Sequence, residues 1–86
     1  IMQSVELYTT KMCGFCHAAK RLLTSKGVSF SEVNLNAQPE RRAEMMQRAN
    51  GGRTVPQIFI GTTHVGGYDE LHALHSAGKL DALLAG

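Results

Sequence analysis

Two cysteines stand three positions apart in "TTKMCGFCHAAKRLL", residues 9–23, and the chain has no others. A pair at that spacing supports three kinds of chemistry: part of a zinc site, a small structural disulfide, or a redox couple. Structural zinc needs four ligands. Besides Cys13 and Cys16 the chain offers His17, His64, His72 and His75, with no second C-x-x-C element. His72 and His75, three apart, read as surface residues of a helix. A disulfide across two intervening residues closes so short a loop that it removes little chain entropy. The redox couple is the reading that the residues support.

Position separates the two thiols. Phe15, Ala18, Ala19, Leu22 and Leu23 fall on the i, i+3, i+4, i+7, i+8 stripe of an amphipathic helix. At about 100° per residue, Cys16 lies at the edge of that stripe. Cys13 lies outside it, at the helix start. Cys13 is therefore expected to be exposed and Cys16 shielded. Helix N-termini carry unpaired N–H groups and a partial positive charge. Both favour a thiolate and bring a cysteine below its free value of about 8.5. Lys11 stands close enough in sequence to add to this. Cys13 is the expected nucleophile and Cys16 the thiol that resolves a mixed disulfide. His17, one turn on from Cys13, reads as an exposed polar residue, with tuning of Cys13 as the sharper alternative.

The elements that hold this pair follow from periodicity. "VELYTT" (5–10) alternates as a strand, and the Phe15 stripe makes a helix stopped at Lys26-Gly27. "VSFSEVNL" (28–35) is a second strand through Val28, Phe30 and Val33. Pro39 suits a first helical turn. Ala43, Met46 and Ala49, with Met45 beside them, give that helix its core side, and Asn50-Gly51-Gly52 ends it. "PQIFIG" (56–61) and "THVGG" (63–67) are two short strands. Asp69 is expected to cap a helix carrying Leu71 and Leu74, stopped by Gly78. Leu80, Leu83 and Leu84 make a short last helix. The order is β-α-β-α-β-β-α-α. Strands flanking a crossover helix run parallel, and closely spaced ones pair as a hairpin. An α/β fold with a mixed four-stranded sheet flanked by helices is predicted, and a C-x-x-C beside a βαβ pattern is a thioredoxin-like signature.

Composition sets the outer limits. Eighty-six residues with 43% apolar content and a formal charge of +2 predict one globular domain over 1–86. Ile1, ahead of Met2, reads as an addition outside the domain proper. No apolar run approaches a membrane span, and "IMQSVELY" lacks the segments of a secretory signal. A cytoplasmic, reducing location is expected. Arg41, Arg42, Arg48 and Arg53 form no run with interleaved aromatics, so a solvated helix face is expected and no nucleic-acid or membrane partner.

Three motifs in order, Cys13-Gly14-Phe15-Cys16, Thr54-Val55-Pro56 and Gly66-Gly67-Tyr68-Asp69-Glu70, resemble those of a small dithiol glutaredoxin, and the likeness covers essentially the whole chain. The resemblance implies a thioredoxin-like fold and a monomer that exchanges disulfides with glutathione and with glutathionylated or disulfide-containing proteins. It implies catalysis by Cys13 and Cys16. It implies glutathione contacts at Lys11, Phe15, Thr54, Val55, Pro56, Gly67, Tyr68 and Asp69, and a cis Pro56 against the cysteine pair. The physical reasons agree. A residue before proline is pushed to extended geometry, so Val55 can pair with a peptide backbone. A helix opening at Tyr68 and Asp69 suits a carboxylate, and Asp69 suits an ammonium. Relatives carry a lysine three residues before the first cysteine. Here Thr10 stands there and Lys11 follows, which leaves Arg53 or Arg42 as candidates for that cation. Gly14 replaces a common proline, and Phe15 a common tyrosine. C-G-F-C also stands near the C-G-F-S of monothiol relatives. The alternative is therefore a [2Fe–2S] cluster held between two copies by Cys13 and glutathione thiolates; otherwise no metal is expected.

Overall fold

The computed structural model describes residues 2–86; the reading of Ile1 lies outside them. The elements are β1 (Val5–Thr9), α1 (Gly14–Ser25), β2 (Ser31–Asn34), a 3-10 turn (Pro39–Arg41) running into α2 (Arg42–Arg48), β3 (Gln57–Ile60), β4 (Thr63–Gly66), α3 (Tyr68–Ser76) and α4 (Leu80–Ala85). The sheet order is β2-β1-β3-β4. β1 and β2 are parallel, and β1–β3 and β3–β4 are antiparallel. This is the expected mixed sheet, in the expected element order.

Strand alternation sorts the core into two layers. Val5, Leu7, Ile58 and Ile60 meet Ala19 and Leu23 of α1, Leu71 of α3, and Leu80 and Leu84 of α4. Tyr8 and Phe59, from the opposite face, meet Val33, Leu35, Met45 and Ala49. Helices α1, α3 and α4 thus cover one face, and α2 covers the other. The core side of α2 differs from the periodic reading. Met45 and Ala49, four apart, are buried, while Ala43 is exposed. The 3-10 turn at its start rotates the helix relative to a single helix begun at Pro39.

Chain turns fix where each element stops. α1 ends with Gly27 at φ 71°. Its N–H donates to Thr24 O at 2.9 Å, and the Val28 N–H reaches Leu23 O at 3.1 Å. This pair of bonds is a Schellman ending, which needs a left-handed residue and so favours glycine. Because Val28 is tied to α1, β2 begins only at Ser31, although Val28 is buried and Phe30 packs on the core. Gly78 ends α3 in the same way, with φ 72° and a bond from Lys79 N to Leu74 O of 2.9 Å.

The α2 face of the sheet carries polar bonds that periodicity does not show. Arg48 Nη1 donates to the Tyr8 hydroxyl at 2.8 Å, and its guanidinium carbon lies 4.1 Å from the Phe59 ring centre, a cation–π distance. Arg48 also pairs with Glu6, and Tyr8 donates to Glu44. Arg41 bonds both Glu44 oxygens, at 3.1 and 2.7 Å. Two of the arginines thus brace the fold rather than forming only a solvated face. Burial pushes the Tyr8 hydroxyl up in pKa; its bond to Glu44 adds to this and Arg48 opposes it. Arg41, helped by Tyr8, holds the Glu44 carboxyl below the usual range. The Thr9 hydroxyl, bonded at 2.6 Å, holds Glu32 below it too, with Lys20 helping.

A carboxyl lowered in the folded state stabilises the fold above its unfolded pKa, and that share is lost as pH falls through the folded value. The urea midpoint is therefore expected to fall as pH drops below the ordinary glutamate value of 4.5. Glu32→Gln should make that decline shallower, which urea titrations at pH 3 to 7 would measure.

Candidate functional site

β1 delivers the chain to the cysteine pair. Cys13 is the N-cap of α1, with extended backbone at φ −138° and ψ 101°. Its carbonyl accepts from His17 N–H at 3.2 Å. Its sulfur accepts from the backbone N–H of Cys16 at 3.1 Å. This is the bond that a serine or threonine N-cap makes with the third residue of a helix, here with sulfur in the oxygen's place. Cys16 is 0% exposed. It shares the inner side of α1 with Ala19 and Leu23. The two cysteines are joined as a disulfide with Cα atoms 5.2 Å apart.

The expected asymmetry holds, with one difference in degree. Cys13 is half-buried rather than fully open. Its sulfur lies 3.7 Å from the Val55 carbonyl oxygen, so the loop before β3 shields one side. That loop turns through a cis bond between Val55 and Pro56. Pro56 is buried, Val55 half-buried and Thr54 exposed. Two aromatic or apolar side chains stand out beside the sulfur. Met12 is 91% exposed and Phe15 is 64% exposed. Phe15 thus starts the apolar stripe in sequence but leaves the core, and its ring stacks on Tyr68 with centroids 6.2 Å apart. Nothing in the apolar spacing singles out Met12.

The third segment arrives from β4. Gly67 is the N-cap of α3, and the Glu70 carboxylate accepts from its N–H at 2.7 Å. The expected cap, Asp69, is instead the second residue of α3. The cap falls two residues earlier because Gly66, at φ 114°, turns the chain sharply out of β4. Asp69 is left exposed beside the unpaired first N–H groups of the helix. Phe15, Thr54, Val55, Pro56, Gly67, Tyr68, Asp69 and Glu70 line one groove of about 280 Å³, and Val55, whose carbonyl oxygen lies 3.7 Å from the Cys13 sulfur, joins it to the cysteine pair.

Seven of the eight expected contact residues therefore share this groove, and Glu70 joins them. Lys11 is the exception. It is exposed and does not line the groove; its backbone N–H donates to Asn36. Arg42 reaches the Arg53 carbonyl at 3.1 Å, and both arginines are exposed. His17 is exposed, and no side-chain hydrogen bond joins it to Cys13 among the described residues. Among the described residues no group of three or more His, Cys, Asp or Glu could hold a metal, and no helix is long and apolar enough to cross a membrane.

The glutaredoxin family model matches residues 5–65, which takes in β1 through most of β4 and both cysteines. The chain belongs to the glutaredoxin family. It is 57% identical to the glutaredoxin of Pseudomonas aeruginosa over 84 residues, covering 98% of this chain and 99% of that one. The solution structure of the Brucella melitensis glutaredoxin superposes with a TM-score of 0.84 at 52% identity, over 98% of this chain and 90% of that one. The crystal structure of a buckwheat glutaredoxin–glutathione complex gives 0.86 at 30% identity, over 95% and 76%. This glutaredoxin therefore has the thioredoxin-like fold and, as the family implies, thiol–disulfide oxidoreductase activity.

Gly66 is the tightest point of the third segment. A Cβ there would sit 2.9 Å from Glu70 Oε1, at a φ that side chains rarely adopt. Gly66→Ala is expected to cost about 1–3 kcal/mol and to loosen the start of α3. A urea midpoint unchanged from the parent would contradict this reading of the turn.

Proposed function

We propose that this glutaredoxin reduces protein–glutathione mixed disulfides and protein disulfides at the expense of glutathione. The observation that carries this reading is the placement of the Cys13 sulfur. It caps α1 against the Cys16 N–H at 3.1 Å, and it borders a groove that ends at another helix start. The first feature stabilises a thiolate. The second suits a small peptide with a carboxylate at one end.

The chemistry runs in two exchanges. The Cys13 thiolate attacks the glutathione sulfur of a protein–glutathione disulfide. The new bond is Cys13–S–SG, and the protein leaves as a thiolate. A second glutathione thiolate attacks the bound glutathione sulfur, releasing oxidised glutathione and restoring the Cys13 thiolate. With a protein disulfide, Cys13 forms the mixed disulfide and frees one substrate thiolate. Cys16 then attacks the Cys13 sulfur, and the second substrate thiolate leaves. Two glutathiones reopen the Cys13–Cys16 bond. Burial of Cys16 fits the second role, because it meets only a disulfide already formed on Cys13.

The seven expected groove residues each have a task in this reading. Val55 offers its backbone to the cysteinyl part of glutathione as an added strand would. Pro56, without an N–H, keeps a competing donor away from the sulfur. Gly67, Tyr68 and Asp69 receive the γ-glutamyl end, its carboxylate on free N–H groups and its ammonium on the Asp69 carboxylate. Thr54 and Phe15 border the peptide, and Phe15 is held by Tyr68. Lys11 is exposed, does not line the groove and has no assigned contact with the peptide. The buckwheat complex with glutathione supports this assignment by likeness of fold. The family's iron–sulfur alternative draws on the same Cys13. Among the described residues Cys16 is buried, Cys13 is half-buried and no group of three or more His, Cys, Asp or Glu could hold a metal, so a cluster would draw on a second copy and two glutathione thiolates. The arrangement favours disulfide exchange.

Cys13→Ser is expected to abolish glutathione-dependent turnover, a loss of at least a thousandfold in magnitude for a covalent nucleophile. Cys16→Ser should keep most release of glutathione from glutathionylated protein and lose reduction of protein disulfides. Turnover of both substrates by each variant would measure this. Full activity of the Cys13→Ser protein would remove the mechanism.

A further inference from the structure

Gln57 sits where the core has almost no polar groups. Among the described residues it and Thr9 are the buried polar side chains, and Gln57 is 5% exposed. The function above uses its neighbours Thr54, Val55 and Pro56 and gives Gln57 no task. A buried amide must have its donors and acceptor matched, and its partners here are specific. Gln57 Oε1 lies 2.7 Å from Nε2 of His64, and Gln57 Nε2 donates to Thr54 Oγ1 at 3.4 Å. His64 is itself held. It faces Phe59 across the β3–β4 register, and its ring stacks on Phe59 with centroids 4.9 Å apart. Gly52 leaves room for the amide, since a Cβ there would approach Gln57 Nε2 to 3.0 Å.

Hydrogen-bond direction runs one way along this chain. An amide oxygen only accepts, so the His64 ring N–H donates to it. An amide nitrogen only donates, so Thr54 Oγ1 accepts. A hydroxyl has one hydrogen, and the amide has taken a lone pair rather than that hydrogen. The Thr54 O–H is left free to donate elsewhere. Thr54 is exposed and lines the groove beside the sulfurs. A donor fixed in such a place is best matched by an anionic oxygen. Glutathione carries two carboxylates.

We propose that Gln57, backed by His64, is a positioning residue that sets the Thr54 hydroxyl as a donor to a carboxylate of bound glutathione. The inference rests on the glutathione chemistry proposed above and adds two residues that do not line the groove.

The test is the equilibrium in which the Cys13 thiolate of a Cys16→Ser protein takes a glutathionyl group from oxidised glutathione and releases one glutathione thiolate. The same equilibrium with 2-hydroxyethyl disulfide, which has no carboxylate, is the control. Gln57→Met should lower the glutathione constant roughly fivefold, the usual worth of one neutral hydrogen bond, and leave the control constant unmoved. Thr54→Val should lower it at least as much. The double variant should be no worse than Thr54→Val alone. His64→Phe keeps a ring against Phe59 but lacks the N–H, so it should shift the glutathione constant in the same direction; being exposed, it remains a test should Gln57→Met not fold. Independent, multiplying losses in the double variant would overturn the inference. So would equal losses with both disulfides, which mark a merely structural role. Failure of the parent protein to take up glutathione would instead overturn the proposed function.

Discussion

The site depends on one hydrogen bond, from the Cys16 backbone N–H to the Cys13 sulfur. It exists only while α1 begins at Gly14 and Cys13 keeps its extended backbone. The rest of α1 holds that start in place. Ala19 and Leu23 bury one side of the helix against the sheet, and the Gly27 turn fixes its far end. A sulfur in the N-cap place takes the helix's unpaired N–H groups as its counter-charge. The same geometry puts the second cysteine inside the helix's buried stripe. The proposed nucleophile, Cys13, and the proposed resolving thiol, Cys16, are therefore distinguished by one turn of helix.

The groove is built differently, from segments far apart in the chain. β1 leads into Cys13, the loop before β3 supplies Thr54, Val55 and Pro56, and the turn after β4 supplies Gly67, Tyr68 and Asp69. These meet because β1, β3 and β4 are neighbours in one sheet, and β1 and β3 are antiparallel. The C-terminal end of β1 consequently lies beside the N-terminal end of β3. β4 runs antiparallel to β3 and so ends near the start of β3, where Cys13 already lies. Sheet topology, rather than any local motif, brings the two helix starts to one groove.

Much of this was legible in the residues. The helical stripe after Cys13, the two parallel strands and the closing hairpin follow from apolar spacing. Cys16 at the edge of the stripe is indeed buried. Local periodicity fails where tertiary geometry decides. Phe15 fits the stripe by spacing, yet at the first turn of α1 it is exposed and stacks on Tyr68. Met45, not Ala43, faces the core because the 3-10 turn resets the phase of α2. Asp69 reads as a cap by residue type, but Gly66 turns the chain early and Glu70 satisfies Gly67. Arg48 and Gln57 have no sequence signal at all. Their partners lie between seven and forty-two residues away, Tyr8 and Glu6 on β1 for Arg48 and His64 on β4 for Gln57. The displaced lysine at Lys11 was visible in sequence, and its absence from the groove agrees with the shift by one residue.

The central claim is that the Cys13 sulfur is made anionic by the helix it caps. Alkylation of the reduced protein by iodoacetamide, followed across pH with site identification by peptide mass, tests it most directly. The account predicts that Cys13 is modified first, with a midpoint at least one unit below the free-cysteine value of about 8.5, while Cys16 stays unmodified in the folded protein. A midpoint at or above that value, or faster modification of Cys16, would contradict it.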